Sequence, residues 1–199
     1  MRIDLDTIQS YISTDSYVLD LACGDGNLLL ALQKNKNITG VGLENDPDYI
    51  SACIKSGVSV IEHDLNKGLH HINDKTYDTV VMTLALQAMQ KPDVVLEEML
   101  RIGKECIITF PNFAHWKARW HLLIHGRMPV SDLMPYEWYN TPNIHFCTIK
   151  DFEILCKEKN ITILNNTVVS EKGSSQKLAE LHPNLFGETA IYHLTKSHS

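Results

Sequence analysis

Three features that mark common classes of protein are missing from this sequence of 199 residues. It has no run of basic residues and a formal net charge of -6, which argues against an extended nucleic-acid-binding surface. Its five cysteines include no C-x-x-C pair, so we expect neither a disulfide framework nor a metal site. No basic and apolar leader follows Met1 and no apolar run approaches the length of a membrane span, so we expect a soluble, cytoplasmic protein without a membrane partner.

The residues that are present indicate an α/β protein. With 44% hydrophobic and 21% charged residues, the chain can bury one sizeable core, and we expect a single domain over residues 1–199. Short β-type runs alternate with helical patterns, which predicts a mostly parallel sheet. The predicted strands are SYVLDLA (16–22), ITGVGLE (38–44), VSVIEH (58–63), YDTVVMT (77–83) and CIITF (106–110). The predicted helix at 92–103 places Val94, Val95, Met99 and Ile102 on one apolar face.

Acidic residues stand at the carboxyl ends of the first three predicted strands, where ligands bind in open parallel sheets. These are Asp20, Glu44 and Asp64, and a glycine-containing turn, LACGDG, follows the first of them. Such a turn fits either a dinucleotide or an adenosyl sulfonium. Each carboxylate about 6 Å from a pyrophosphate would oppose it by roughly 2–3 kcal/mol, and Leu29 replaces the third glycine of the dinucleotide pattern. We therefore predict the cationic ligand, S-adenosylmethionine.

Three motifs of the sequence resemble those of the class I S-adenosylmethionine-dependent methyltransferases: DLACGDG, GLEND (42–46) and HDL (63–65). The resemblance implies that Asp20 and the loop backbone hold the methionine part, Glu44 accepts the ribose hydroxyls, and Asp64 and Leu65 read the adenine. Ala22 stands where the family usually has its first loop glycine. The cofactor residues implied are Asp20, Ala22, Gly24, Gly26, Glu44, Asn45, Asp64, Leu65 and Thr83.

Longer motifs, spread over nearly the whole chain, are similar to the MetW methionine-biosynthesis protein family. They include EEMLRIG, FPNFAHW, PYEWYNTPNIHFCT, DFEILC and NLFGETAIYHL. The resemblance implies a three-layer, Rossmann-like class I methyltransferase fold, with a mostly parallel seven-stranded sheet, helices on both faces and an antiparallel last strand. It also implies binding of S-adenosylmethionine or S-adenosylhomocysteine, and association with homoserine O-acyltransferase (MetX).

The segment PYEWYNTPNIH (135–145) lies in a region, about 111–147, where this fold builds a cover over the acceptor side of the cofactor. It could close a pocket for a small-molecule methyl acceptor, contact a partner, or pack as an ordered surface loop. For a methyl transfer, the position of the residues suggests His145 or His115 as general base, with Tyr139 or Glu137 orienting the acceptor.

Three hypotheses therefore remain: a small-molecule methyltransferase, a cofactor-sensing partner subunit, and a purely structural fold. The strand-end carboxylates argue against the third. The first requires residues 135–145 to seal a cavity, whereas the second requires an exposed apolar patch.

Residues 113–127 are predicted to form an amphipathic helix that stops at Gly126. Its aromatic stripe could pack on the protein's own sheet or face a partner, and the two alternatives are open at this point. The stripe consists of Phe113, Trp116, Trp120, Leu123 and Ile124, with Lys117, Arg119 and Arg127 largely off it.

Overall fold

The fold was obtained as a computed structural model, which describes residues 3–131, 134–170 and 176–197. These residues contain one seven-stranded sheet with the strand order β3-β2-β1-β4-β5-β7-β6. The strands are β1 (Tyr17–Leu21), β2 (Thr39–Glu44), β3 (Val60–Glu62), β4 (Tyr77–Thr83), β5 (Gly103–Pro111), β6 (Ile161–Val169) and β7 (Thr189–Lys196).

The strand directions confirm the predicted class I methyltransferase fold. The β1–β2, β1–β4, β2–β3 and β4–β5 pairs are parallel, whereas β7 runs antiparallel to both β5 and β6. The start of β7 consequently lies at the same edge of the sheet as the carboxyl ends of β1, β2, β4 and β5. This edge, called the carboxyl edge below, carries the candidate site.

The helices are α1 (Ile3–Tyr11), α2 (Asn27–Lys36), α3 (Pro47–Ser56), α4 (Pro92–Ile102), α5 (Trp116–His125), α6 (Ile149–Glu158), α7 (Gln176–Leu181) and α8 (Pro183–Phe186). Local sequence signals explain several boundaries. Asp46 accepts a hydrogen bond from the Asp48 amide and Pro47 opens α3, while Gly57 ends it in a left-handed conformation. None of the described helices is long and apolar enough to cross a membrane.

The core consists of two apolar layers, one on each face of the sheet. Side chains of α1, α2 and α3 fill one layer, and side chains of α4 and α6 fill the other. On α4, Val95, Met99 and Ile102 are buried as predicted, but Val94 is exposed. That part of the prediction was wrong because Leu96 and Leu100 complete the buried face, and Val94 lies outside it.

Candidate functional site

A turn with three left-handed residues connects β1 to α2 at the carboxyl edge. Ala22, Gly24 and Gly26 all have positive φ, at 54°, 56° and 76°. A side chain at Gly26 would lie 3.0 Å from Cys53 Sγ, so this position requires glycine for packing as well as for conformation. A Cβ atom at Gly24 would meet no atom within 4 Å. The turn therefore exposes backbone to open space at Gly24, where a ligand can approach closely.

The carboxylate of Glu44 fastens this turn to the end of β2. Its Oε2 accepts a hydrogen bond from the Gly24 amide at 2.8 Å. Its Oε1 accepts from the amides of Asn45 and Asp46, at 2.8 and 3.1 Å. An ionised carboxylate has about four acceptor positions, so three backbone donors leave about one for another partner. Glu44 thus has a structural role that the sequence motif did not reveal.

Asp20 lies beside Glu44 at the end of β1 and is only 1% exposed. Its Oδ1 has no hydrogen-bond partner among the described residues, which is unfavourable for a buried polar atom. Burial, together with the charge of Glu44, raises the pKa of Asp20 to about 8. Because a nearby cation favours the ionised form of a carboxyl group, the position is suited to a cationic ligand.

The other predicted cofactor residues lie around the same edge. Asp64 caps the short 3-10 turn Leu65–Lys67 by accepting from the Asn66 amide, and Leu65 is buried. Asn45 is exposed at the end of β2, and Thr83 is half-buried at the end of β4. The His63 amide donates to the Glu44 carbonyl, which joins the ends of β2 and β3. The fold therefore brings the acidic strand ends to one edge of the sheet, on the neighbouring strands β1, β2 and β3.

The four candidates for acid–base chemistry are not brought together in this way. His115 is buried at the N-terminal end of α5, and its Nε2 lies 3.7 Å from Glu188 Oε1. His145, Tyr139 and Glu137 are exposed. Burial, with the charge of Lys117, lowers the pKa of His115 against the opposing effect of Glu188. Of the four, His115 alone is buried.

The segment 135–145 forms part of the outer surface of the protein. Trp138 is 72% exposed, and Tyr136, Tyr139 and Ile144 are exposed as well. Gln87, on the turn after β4, anchors the end of the segment, because its carbonyl accepts from the amides of Ile144 and His145 at 3.0 Å. Sequence reasoning missed Gln87, whose contribution is a backbone carbonyl and so leaves no motif.

The aromatic face of α5 is also directed outward. Trp116 and Trp120 are 44% and 60% exposed, and Leu123 and Ile124 are exposed beside them. The helix packs inward through a smaller residue, Ala118. We call the four exposed side chains the α5 face. All three tryptophans of the chain are thus exposed, which disfavours the alternative that this stripe packs on the protein's own sheet.

The α5 helix begins at Trp116, three residues after Phe113, where the predicted helix began. The side chain of Asn112 accepts a hydrogen bond from the Ala114 amide, which forms a local turn. The Phe113 amide donates a hydrogen bond to the Cys147 carbonyl, which holds Phe113 in the loop before the helix. Phe113 instead packs against Phe146, with ring centroids 4.7 Å apart.

Comparison with solved structures shows the fold. A S-adenosylmethionine-dependent methyltransferase from Archaeoglobus fulgidus is 16% identical, with a TM-score of 0.66 over 97% of this chain and 91% of that chain. One from Aquifex aeolicus is 16% identical, with a TM-score of 0.64 over 96% of this chain and 88% of that chain.

Comparison of sequences is more specific. The chain is 34% identical over 201 residues to the bifunctional methionine biosynthesis protein MetXA/MetW of Rhodopirellula baltica, covering 96% of this chain. It spans 32% of the length of that relative. Residues 2–194 match the family described as Methionine biosynthesis protein MetW. The chain therefore belongs to the MetW family of methionine biosynthesis proteins.

Proposed function

We propose that this protein binds S-adenosylmethionine or S-adenosylhomocysteine at the carboxyl edge and acts as a partner subunit of homoserine O-acyltransferase. The binding half of the proposal rests on the buried, unpartnered Oδ1 of Asp20 and on the open space at Gly24. Asp20 would face the cationic part of the ligand, the Gly24 backbone would lie against its methionine part, and Glu44 would accept from its ribose. When bound, S-adenosylmethionine supplies an activated methyl group.

The partner half of the proposal rests mainly on the α5 face. Exposed tryptophans are enriched among the residues that dominate protein interfaces, and large exposed apolar patches mark such interfaces. The relative from Rhodopirellula baltica combines MetXA and MetW in one chain, which favours an acyltransferase of the MetX type as the partner. Covalent fusion keeps two domains at a high effective concentration, as expected for domains that work together.

The charge around α5 also favours a specific partner. Residues 111–131 contain Lys117, Arg119 and Arg127 but no aspartate or glutamate, although the whole chain has a net charge of -6. Lys117 pairs with Glu188, and Arg119 donates to the Ala114 carbonyl. Because Glu188 compensates the charge of Lys117, Arg119 and Arg127 supply the local positive charge next to the exposed aromatic rings, a combination that suits an acidic partner surface.

Binding of S-adenosylmethionine is expected to release a proton from Asp20. With a pKa of about 8, the buried carboxyl holds its proton at pH 6–7, and a cationic ligand favours its ionised form. Affinity should therefore rise with pH and level off above about pH 8. Calorimetric titrations in two buffers of different ionisation enthalpy measure the released proton directly.

The matched variant for this test is Asp20→Asn, which keeps the size of the side chain but cannot ionise. It should remove both the proton release and the pH dependence of the affinity. The same substitution should flatten the pH dependence of stability. Because the folded pKa is raised from 3.8, Asp20 stabilises the unliganded fold below about pH 4, and this contribution is lost as pH rises through 8. Binding heats of the unmodified protein that do not differ between the buffers would contradict this role.

A second candidate function is a small-molecule methyltransferase, and one observation favours it. His115 is buried at the carboxyl edge, and the lowered pKa keeps its imidazole neutral at pH 7, as a general base requires. The outward position of residues 135–145 favours the partner function over this alternative, because these residues do not seal a cavity.

A further inference from the structure

A cavity of about 270 Å³ opens between the ends of β5 and β7 and the start of α5. It lies at the carboxyl edge, but two to three strands away from β1, so it is separate from the cofactor residues Asp20 and Glu44. Its charged and titratable lining includes His115, Lys117 and Glu188, and its apolar wall includes Ala118, Pro129 and Val130. Asn112, His121 and Ser131 complete its polar lining.

Two buried polar side chains of this cavity, His115 and Glu188, are close enough together to contact the same hydrogen-bond donor of a ligand. Glu188 is 5% exposed and His115 is 6% exposed. The Nε2 atom of His115 has no hydrogen-bond partner among the described residues, and it lies 3.7 Å from Glu188 Oε1. A nitrogen placed beside both atoms can donate to each at ordinary hydrogen-bond distances. Because burial keeps His115 neutral, its Nε2 can act as an acceptor when the proton is on Nδ1.

Lys117 supplies the opposite charge at the rim. Its Nζ lies 3.2 Å from the same Glu188 Oε1, and its side chain is 55% exposed. A ligand that carries an ammonium group and a carboxylate on one carbon atom can therefore contact Glu188 with the first and Lys117 with the second. Both of its charges would be paired, which the burial of charged groups requires.

We propose that this cavity binds a small apolar α-amino acid. Glu188 and His115 receive the ammonium group, Lys117 receives the carboxylate, and the side chain lies against Pro129 and Val130. The volume is sufficient for one molecule of this size, but lies below the range that drug-sized ligands occupy. This site is additional to the cofactor crevice and to the α5 face, and does not depend on the function proposed for either.

The test uses L-methionine and L-norleucine as probes, titrated into the purified protein by calorimetry at millimolar concentrations. Two derivatives separate the contributions of the charges. N-acetyl-L-methionine lacks the ammonium group and should bind at least about tenfold more weakly than L-methionine. The reason is that it cannot make the charge-assisted hydrogen bond from an ammonium group to the buried acceptors. L-methioninamide lacks the carboxylate and should also bind more weakly to the unmodified protein.

Two variants assign the contacts to residues. Glu188→Gln should reduce the affinity for L-methionine at least about tenfold, while its affinity for S-adenosylmethionine stays unchanged. Lys117→Ala should bind L-methionine and L-methioninamide equally. Lys104→Ala is the matched control, because Lys104 also forms an exposed ion pair, with Asp78, but at the start of β5 on the opposite edge. Thermal unfolding reports whether each variant is folded. If Glu188→Gln does not fold, Lys117→Ala still tests the proposal, because the exposed Lys117 side chain can be removed without disturbing the core.

Three results would overturn the proposal: no binding heat with either amino acid, equal binding of the N-acetyl derivative, or equal behaviour of Lys117→Ala and Lys104→Ala. Each is independent of whether the protein binds S-adenosylmethionine or a partner. The cofactor titration on the same samples distinguishes a missing amino-acid site from a failure of the proposed cofactor site.

Discussion

Replacing Trp120 with alanine is expected to abolish association with homoserine O-acyltransferase while leaving stability and S-adenosylmethionine affinity nearly unchanged. The ring is 60% exposed on the α5 face, so its removal creates no core cavity. A buried tryptophan would cost about 3–5 kcal/mol of stability on truncation. At the centre of an interface, truncation of a tryptophan typically costs at least about 2 kcal/mol of binding, or roughly thirtyfold in affinity. Light scattering of the mixed proteins measures the association.

The matched control for this prediction is Ile54→Ala. Ile54 is 67% exposed on α3, at the other end of the sheet, so its substitution removes exposed apolar surface away from α5. It should leave both stability and association unchanged. A Trp120→Ala protein that unfolds several degrees earlier, or that associates as well as the Ile54→Ala protein, would show that the α5 face is not the interface.

Replacing Glu44 with alanine is expected to reduce the affinity for S-adenosylmethionine at least tenfold. Hydrogen bonds to a charged group contribute about 1.5–3 kcal/mol each, and 1.4 kcal/mol corresponds to a factor of ten. The structure adds a second reason, because the variant also loses the 2.8 Å hydrogen bond that holds the Gly24 amide. Calorimetric titration measures the affinity of both proteins.

Asp78→Ala is the matched control for Glu44. Asp78 also carries a carboxylate that accepts a backbone hydrogen bond, from the Tyr17 amide at 2.8 Å, but it lies at the opposite edge of the sheet. It should lower stability to a similar extent without changing the affinity for the cofactor. Unchanged affinity in Glu44→Ala would refute the assignment of Glu44 to the ribose.

The sequence predicted the first half of the fold well because the signals there are local. Short β-type runs alternate with helical patterns from β1 to β5, and helix start and stop signals act within a few residues. Asp46, Pro47 and Gly57 bracket α3 in the structure as they do in the sequence. The acidic strand ends could be assigned to one crevice because parallel strands place their carboxyl ends at the same edge.

The remaining features depend on contacts between distant parts of the chain. Glu188 lies 71 residues from Lys117 in the sequence, yet their side chains form an ion pair because β7 begins beside the end of β5. This contact follows once β7 is known to be antiparallel, but no local motif marks Glu188. The Glu44–Gly24 hydrogen bond and the carbonyl of Gln87 are equally non-local, and neither has a sequence signature.

Helical periodicity also could not decide what the α5 face contacts. A stripe of apolar side chains looks the same whether it packs on the protein's own sheet or faces a partner. The structure settles its exposure because Ala118, on another side of the helix, makes the inward contact. Exposure of the three tryptophans is therefore a result of the fold, and it could not be read from their spacing.

The most direct test of the proposed function is the rate of acyl transfer by the cognate homoserine O-acyltransferase, measured alone, with this protein, and with this protein and S-adenosylmethionine. We expect this protein to increase the rate, and saturating S-adenosylmethionine to change that increase. In the Glu44→Ala variant the increase should persist, but the ligand should lose its effect at concentrations that saturate the unmodified protein. An acyltransferase that reaches the same rate with and without this protein, whether or not the ligand is present, would contradict the proposed function.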